Sequence, residues 1–239
     1  MNLYNYIFKR KSTRKYDMTP LQEEQLAEIK NFADNLEPLY KDIKVEYFIA
    51  NATDVRNILP VKAPHYFIIS SEKKDGYLTN VGFMFQQMDL YLSSKGLGSC
   101  WLGMAKPNKE INTKLEFVII LAFGNAINIP YRELSEFKRK SLSEISMGID
   151  ERLEVARLSP SATNSQNWFF VAENGKIYAY QKRLNLVQAL IYDKMNKIDM
   201  GIAVCHLYIA TEYYGKNFIF EKEENPKEIK GYIYIGTVV

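Results

Sequence analysis

The chain has very little of what metal, thiol and membrane chemistry require. Its 239 residues include only Cys100 and Cys205, and only His65 and His206. The cysteines lack CxxC spacing and no cluster of three or four nitrogen and sulfur ligands suggests itself, so a metal enzyme is not expected. So few thiols give no disulfide framework, and a reducing cytoplasm is the expected setting. The longest unbroken apolar run, Phe117 to Phe123, falls far short of the roughly 18 to 20 residues that cross a bilayer. Lys9, Arg10 and Lys11 follow the first apolar stretch, so neither a membrane span nor a signal peptide is expected. A formal net charge of +3 does not by itself call for nucleic acid. No glycine-rich fingerprint follows a strand, which argues against an adenylate-binding FAD site.

What is present is ordinary globular material. At 47% hydrophobic and 13% aromatic, the chain can form one large domain or two small ones. Positive charge gathers at Lys9 to Lys15 and at Lys138 to Lys140, two basic spots suited to a small anionic ligand. Leu3, Tyr6 and Ile7 fit a short opening helix. Thr19-Pro20-Leu21-Gln22 offers an N-cap, a proline at N1 and a capping-box glutamine for a second helix running to about Phe32. Val45, Tyr47 and Ile49 alternate as a strand, and His65 to Ser70 reads as a buried one. Asn80 to Lys95 carries a helical pattern ending at Gly96. Phe117 to Phe123 is a further buried strand, closed by Gly124.

The same grammar then recurs. Gly82 and Gly96 are matched at identical spacing by Gly201 and Gly215, and Leu121-Ala122-Phe123-Gly124 resembles Ile233-Tyr234-Ile235-Gly236. Self-similarity of this length is best explained by duplication of an α/β unit. The expected division is unit one at 1–148, with Asn125 to Gly148 as connection and basic tail, and a shorter unit two at 149–239. Phe-Lys-Arg-Lys-Ser occurs at Phe8 to Ser12 and again at Phe137 to Ser141. The Leu142-Ser143-Glu144-Ile145 that follows the second copy reads as a tail, not as a second head.

Two constellations carry chemistry. Arg10, Ser12 and Arg14 alternate along an extended segment and can converge on a phosphate, although a solvated basic helix end has the same composition. The segment Ser159 to Trp168 follows a helix spanning about Glu151 to Leu158. Its proline cannot continue that helix, and its small residues expose backbone groups beside the Asn164 and Gln166 amides. Cys100 beside Trp101 reads as a small packed residue, His206 and His65 as structural, and Trp168, Trp101 and the tyrosines as mostly core or interface.

Arg10-x-Ser12-x-Arg14, Pro160-Ser161-Ala162-x-Asn164-Ser165-Gln166-x-Trp168, and Gly96-Leu97-Gly98-Ser99-Cys100-Trp101-Leu102-Gly103 after a long helix together resemble the nitroreductase family of FMN-dependent NAD(P)H oxidoreductases. The resemblance implies an α+β fold, a mixed sheet flanked by helices, with two repeated units forming a pseudo-dimer in one chain. It assigns Arg10, Lys11, Ser12, Arg14, Arg139 and Lys140 to the FMN phosphate side. Pro160, Ser161, Ala162, Asn164 and Gln166 would face the flavin from the other unit. Cys100, Trp101, Leu102 and Gly103 would run past its reactive edge, and Arg14 would stabilise the reduced ring. No catalytic acid or base and no metal ligand is implied. Asn167 stands where the family usually has proline, and Asp34-Asn35-Leu36-Glu37-Pro38 stands where unit one should have its own small-residue loop. Unit two lacks an Arg-x-Ser-x-Arg, so one site is expected where two would be possible.

The implied activity is electron transfer from NADH or NADPH to a nitro compound, a quinone or a similar small-molecule acceptor. A flavin-binding storage or sensor protein without turnover is the alternative, and a nucleic-acid binder using Lys9 to Lys15 is a third that salt dependence would expose. The expected partner is a small molecule, not nucleic acid or a membrane, with the pseudo-dimer acting as a monomer.

Overall fold

The computed structural model describes residues 2–109 and 111–239. Its first half contains α1 (Tyr4–Ile7), α2 (Glu23–Ala33), β1 (Val45–Asn51), β2 (Val55–Arg56), β3 (His65–Ser71), α3 (Tyr77–Ser94), β4 (Gly98–Leu102), β5 (Lys106–Pro107) and β6 (Glu116–Gly124). Its second half contains α4 (Leu142–Ile145), β7 (Ser146–Met147), α5 (Arg152–Arg157), β8 (Trp168–Glu173), β9 (Lys176–Lys182), α6 (Leu186–Tyr213), β10 (Phe220–Glu221) and β11 (Tyr232–Val238). The expected α+β architecture is present. The first sheet is antiparallel in the order β1-β3-β6-β4, and the second runs β10-β11-β9-β8-β7 with only β7 and β8 parallel. β2 and β5 form a separate small ladder.

Without β7, the second order is the first repeated. In each half an antiparallel pair (β1 and β3, β8 and β9) leads into a long helix. A strand at the sheet edge follows (β4, β10), and the last strand inserts beside the second (β6, β11). The continuous apolar runs of β3 and β6 occupy the middle of their sheet, where both faces are covered and alternation is not needed.

The two long helices cross at glycines. A side chain on Gly82 of α3 would meet the carbonyl oxygen of Ile198 at 2.1 Å, and one on Gly201 of α6 would meet that of Thr79 at 1.9 Å. Only glycine permits such an approach. The relation is reciprocal: Gly82 and Gly201 lie 119 residues apart (201 minus 82), as do Thr79 and Ile198 (198 minus 79). Such exchange is what a two-fold contact between like units produces. Ile198 and Ile202 of α6 join the core of the first sheet, while Phe83 and Leu90 of α3 join that of the second.

Three local details differ from the sequence expectation. α2 begins after Gln22, which caps it together with Gln25. Thr19 instead bonds the Asp17 carboxylate through its backbone nitrogen (2.9 Å) and its hydroxyl (2.8 Å), because the Asp17 side chain competes for these donors before the helix can start. α3 begins three residues earlier than expected, at Tyr77, after the left-handed Gly76. The expected connection ends in structure of its own, since β7 pairs with β8. The short α1 packs on the second core, where Tyr4 stacks on Tyr213 with centroids 3.8 Å apart.

Candidate functional site

The first basic segment runs extended between two neighbours. Arg10 bridges Tyr131, Ser12 bridges Ser99 on β4, and the Thr13 N–H donates to the Ser99 carbonyl at 2.8 Å. Arg10 is buried. Its Nε lies 2.8 Å from Oδ2 of Asp89, itself fully buried, and its Nη2 donates to Ser12 Oγ at 3.0 Å. Its Nη1 is buried without a partner among the described residues. Lys11 and Arg14 are exposed, and Arg14 Nη1 lies 3.5 Å from the Ser12 carbonyl.

The second basic segment closes on the small-residue loop. Arg139 Nη1 donates to Asn164 Oδ1 at 2.7 Å, and Asn164 Nδ2 donates to the Lys138 carbonyl at 2.8 Å. The Lys140 N–H donates to Gln166 Oε1 at 2.8 Å, while its Nζ reaches the carbonyls of Ser165 and Gln166 at 3.0 and 3.1 Å. Pro160 and Gln166 are buried, with Ser161 and Ala162 partly covered. Thr163, Asn164 and Gln166 have φ of 52°, 57° and 49°. Three non-glycine residues in the left-handed region store strain, which is most costly at β-branched Thr163. The Ser161 hydroxyl accepts from the Gln166 N–H at 3.0 Å, and the Ala162 N–H donates to both oxygens of Asp199 on α6 at 3.1 Å. Burial pushes the Asp199 carboxyl up to about 8.

Between these segments stands Arg132, which the sequence reading did not single out. Its Nε donates to the Arg10 carbonyl at 2.9 Å, and its guanidinium lies 4.1 Å from the Phe137 ring centroid, with Arg139 at 5.6 Å from the same ring. Among the described residues neither Arg132 nor Arg139 has a carboxylate within ion-pair distance, and Arg139 Nε is buried without a partner. Burial and then Arg10 push Arg132 down to about 10. Burial, then Arg132, Arg10 and Arg157, push Arg139 down to about 9. Both remain cations at neutral pH, so the cluster is a positively charged, partly dehydrated place suited to an anion.

β4 supplies the third wall. Because the Ser99 carbonyl faces outward to Thr13, alternation along the strand turns the backbone groups of Trp101 outward as well, and exposed Gly103 follows just past the end of the strand. Cys100 and Leu102 are buried, and burial pushes the Cys100 thiol up, against thiolate formation. The end of β4 abuts α6, where a side chain on Gly103 would meet Met195 Sδ at 2.7 Å. Next to Met195, Asn196 Oδ1 accepts from Asn167 Nδ2 at 3.2 Å. His65 is structural as expected: its Nε2 accepts from the Leu21 N–H at 2.9 Å.

Residues 2–211 match the family model described as "Putative TM nitroreductase". The chain belongs to this nitroreductase family. Among solved structures, this nitroreductase-family chain is similar to a putative nitroreductase from Thermotoga maritima at 20% identity. That match covers 100% of this chain and 92% of the other, with a TM-score of 0.68. A nitroreductase family protein from Clostridium difficile 630 aligns at 21% identity over 60% of this chain and 96% of its own, TM-score 0.49. A nitroreductase with bound FMN from Bacteroides fragilis aligns at 14% identity over 53% and 89%, TM-score 0.43. No curated protein matches the chain.

The residues missed in the sequence left faint signals. Arg132 extends the basic tail upstream, Asp89 is the one charge within α3, and Asp199 and His206 share a face of α6 seven residues apart.

Proposed function

We propose that the chain is an FMN-dependent oxidoreductase passing electrons from NADH or NADPH to a nitro compound, a quinone or a similar small acceptor. It has one flavin site per chain, where unit one (1–148) meets unit two (149–239). The observation that carries this reading is the convergence of Arg10, Arg132 and Arg139, with two buried guanidinium nitrogens left without partners among the described residues. A dianionic phosphate suits that donor set, since guanidinium forks bind phosphate oxygens in pairs.

Arg10, Lys11, Ser12, Arg132, Arg139 and Lys140 hold the phosphate in this reading. Pro160, Ser161, Ala162, Asn164 and Gln166 face the ring from unit two, their amides able both to donate and to accept. Trp101 presents outward backbone groups on the edge strand, with Gly103 just beyond its end and Cys100 and Leu102 packed behind. Exposed Arg14 adds positive charge beside Ser12, favouring an anionic ring. FMN, when bound, supplies reversible two-electron redox chemistry, and the chain supplies binding, orientation and electrostatics. The reciprocal Gly82 and Gly201 contacts support the pseudo-dimer reading.

The test is the visible spectrum and flavin content of purified or reconstituted protein, followed by NADH or NADPH oxidation with a quinone or nitro acceptor. One FMN per chain with turnover is expected. FAD, two flavins per chain, or no flavin overturns the site. Bound FMN without turnover leaves a storage or sensor protein in its place.

A further inference from the structure

A buried chain of hydrogen bonds passes through the crossing of α3 and α6, and one placement of protons satisfies it. The Asp89 carboxylate can only accept, so the Gln86 amide nitrogen faces it, with Nε2 at 3.1 Å from Oδ2. Gln86 Oε1 then faces the Trp101 indole Nε1 at 3.4 Å, a donor only. The second N–H of Gln86 points at His206 Nε2, 3.2 Å away, so that nitrogen is the acceptor. His206 therefore carries its hydrogen on Nδ1, which donates to the Val155 carbonyl at 3.0 Å. Burial pushes the His206 imidazole down to about 3, so it stays neutral. The Ser99 hydroxyl also donates to Asp89. Gln86, Asp89 and His206 are each 0% exposed, and the chain ends on Arg10.

The other side of the same crossing does without this chain. Counting 119 residues on, Gln86 corresponds to Cys205 and Asp89 to Tyr208, and Tyr208 packs against the rings of Phe83 and Phe218. Counting 119 back, His206 corresponds to Gln87. Gln87 grips the Glu37 backbone within its own half, accepting from its N–H at 3.2 Å and donating to its carbonyl at 2.8 Å. Burying polar groups is costly unless each finds a partner, and the helix crossing tolerates a thiol and aromatic rings at the equivalent places. The polar chain therefore belongs to the side where the arginines are.

We propose that Gln86 and His206 are positioning residues of the flavin site. Through Asp89 they set the Arg10 guanidinium so that Nη1 stays free, and through the Trp101 indole they fix the β4 edge. Through Val155 they register both to α5, which leads into the loop at 159–166. The inference rests on the flavin reading above.

The test titrates apoprotein with FMN, followed by flavin fluorescence, alongside thermal unfolding of each apoprotein. Gln86→Leu and His206→Leu are expected to weaken FMN about tenfold, equivalent to about 1.4 kcal/mol. His206→Gln, which restores an acceptor for Gln86, is expected to recover most of that affinity. Gln87→Leu is expected to lower thermal stability and leave FMN affinity unchanged. Folded leucine variants with wild-type affinity, or a Gln87→Leu variant weakened as much as they are, overturn the proposal. If the leucine variants do not fold, His206→Gln is compared with His206→Asn, which restores only the donor to Val155. Equal affinities for that pair overturn it too. Wild-type protein that binds no FMN overturns both this proposal and the function above, whereas tight wild-type binding with indifferent variants overturns this one alone.

Discussion

On the side of the molecule where β4 ends the first sheet, Arg10, Arg132 and Arg139 gather, and two of their buried nitrogens find no acceptor among the described residues. On the side where β10 ends the second sheet, aromatic rings gather instead. Phe220, 119 residues on from Trp101 (220 minus 101), lies over Gly236, where a side chain would meet its ring at 2.4 Å. Its centroid is 6.2 Å from that of Tyr40, which lies between α2 and β1. Even the helix residue that holds each loop differs. Asn80 accepts the N–H groups of Leu39 and Tyr40 at 2.8 and 2.9 Å, while Asp199, 119 residues on, accepts that of Ala162. One junction holds a neutral amide and packed rings, whereas the other holds an acid, three arginines and a loop with three left-handed residues.

The largest expected difference lies in the buried charges. Asp89→Ala should destabilise the fold by about 3 to 5 kcal/mol, because it strands the Arg10 cation in the interior. Tyr208→Phe, at the corresponding place, should cost less than about 1.5 kcal/mol. Urea unfolding of both variants measures the contrast, and similar losses would break it. By the same argument Arg10→Ala strands Asp89, so affinity is better probed at Arg132.

Asp199 gives a pH signature that Asn80 cannot. Its folded pKa is raised to about 8 by burial, above the ordinary carboxyl value of about 3.9. A raised acid contributes stability that is fully present below the unfolded pKa and lost as pH rises through the folded one. Stability should therefore fall between about pH 4 and pH 8, by as much as roughly 1.4 kcal/mol per pH unit. Asp199→Asn should flatten that slope in unfolding curves, and an unchanged slope would remove Asp199 as its source.

Arg132→Gln should weaken FMN by about 1.5 to 3 kcal/mol, the range for a bond to a charged group, with little change in apoprotein stability. Calorimetric titration checks this, and unchanged affinity would remove Arg132 from the clamp. The smallest effect on binding is expected at the filled junction. Tyr40→Ala with Phe220→Ala should cost about 1 to 3 kcal/mol of stability and leave flavin stoichiometry at one per chain, because a space without arginines does not bind a phosphate. A second equivalent of FMN would show that the rings alone had closed that site.

The sequence by itself carried the long helices with their paired glycines, the buried strands and the two basic spots, because these depend on local patterns of apolarity, glycine and charge, and its motifs carried the resemblance that implied the α+β class. It also showed that Arg10, Ser12 and Arg14 lie in one half and Pro160 to Gln166 in the other. The partners of those residues were not legible there. Asp89 looks like an ordinary helical acid until Arg10 folds onto it, and Arg132 looks like a solvated cation until the segment at 131–132 runs beside Lys9 and Arg10. His206 read as structural because nothing local places Gln86 3.2 Å away, 120 residues back along the chain. Charge pairing, burial and proton placement depend on contacts between distant segments, and only the tertiary fold decides which side chains share the space where water is excluded.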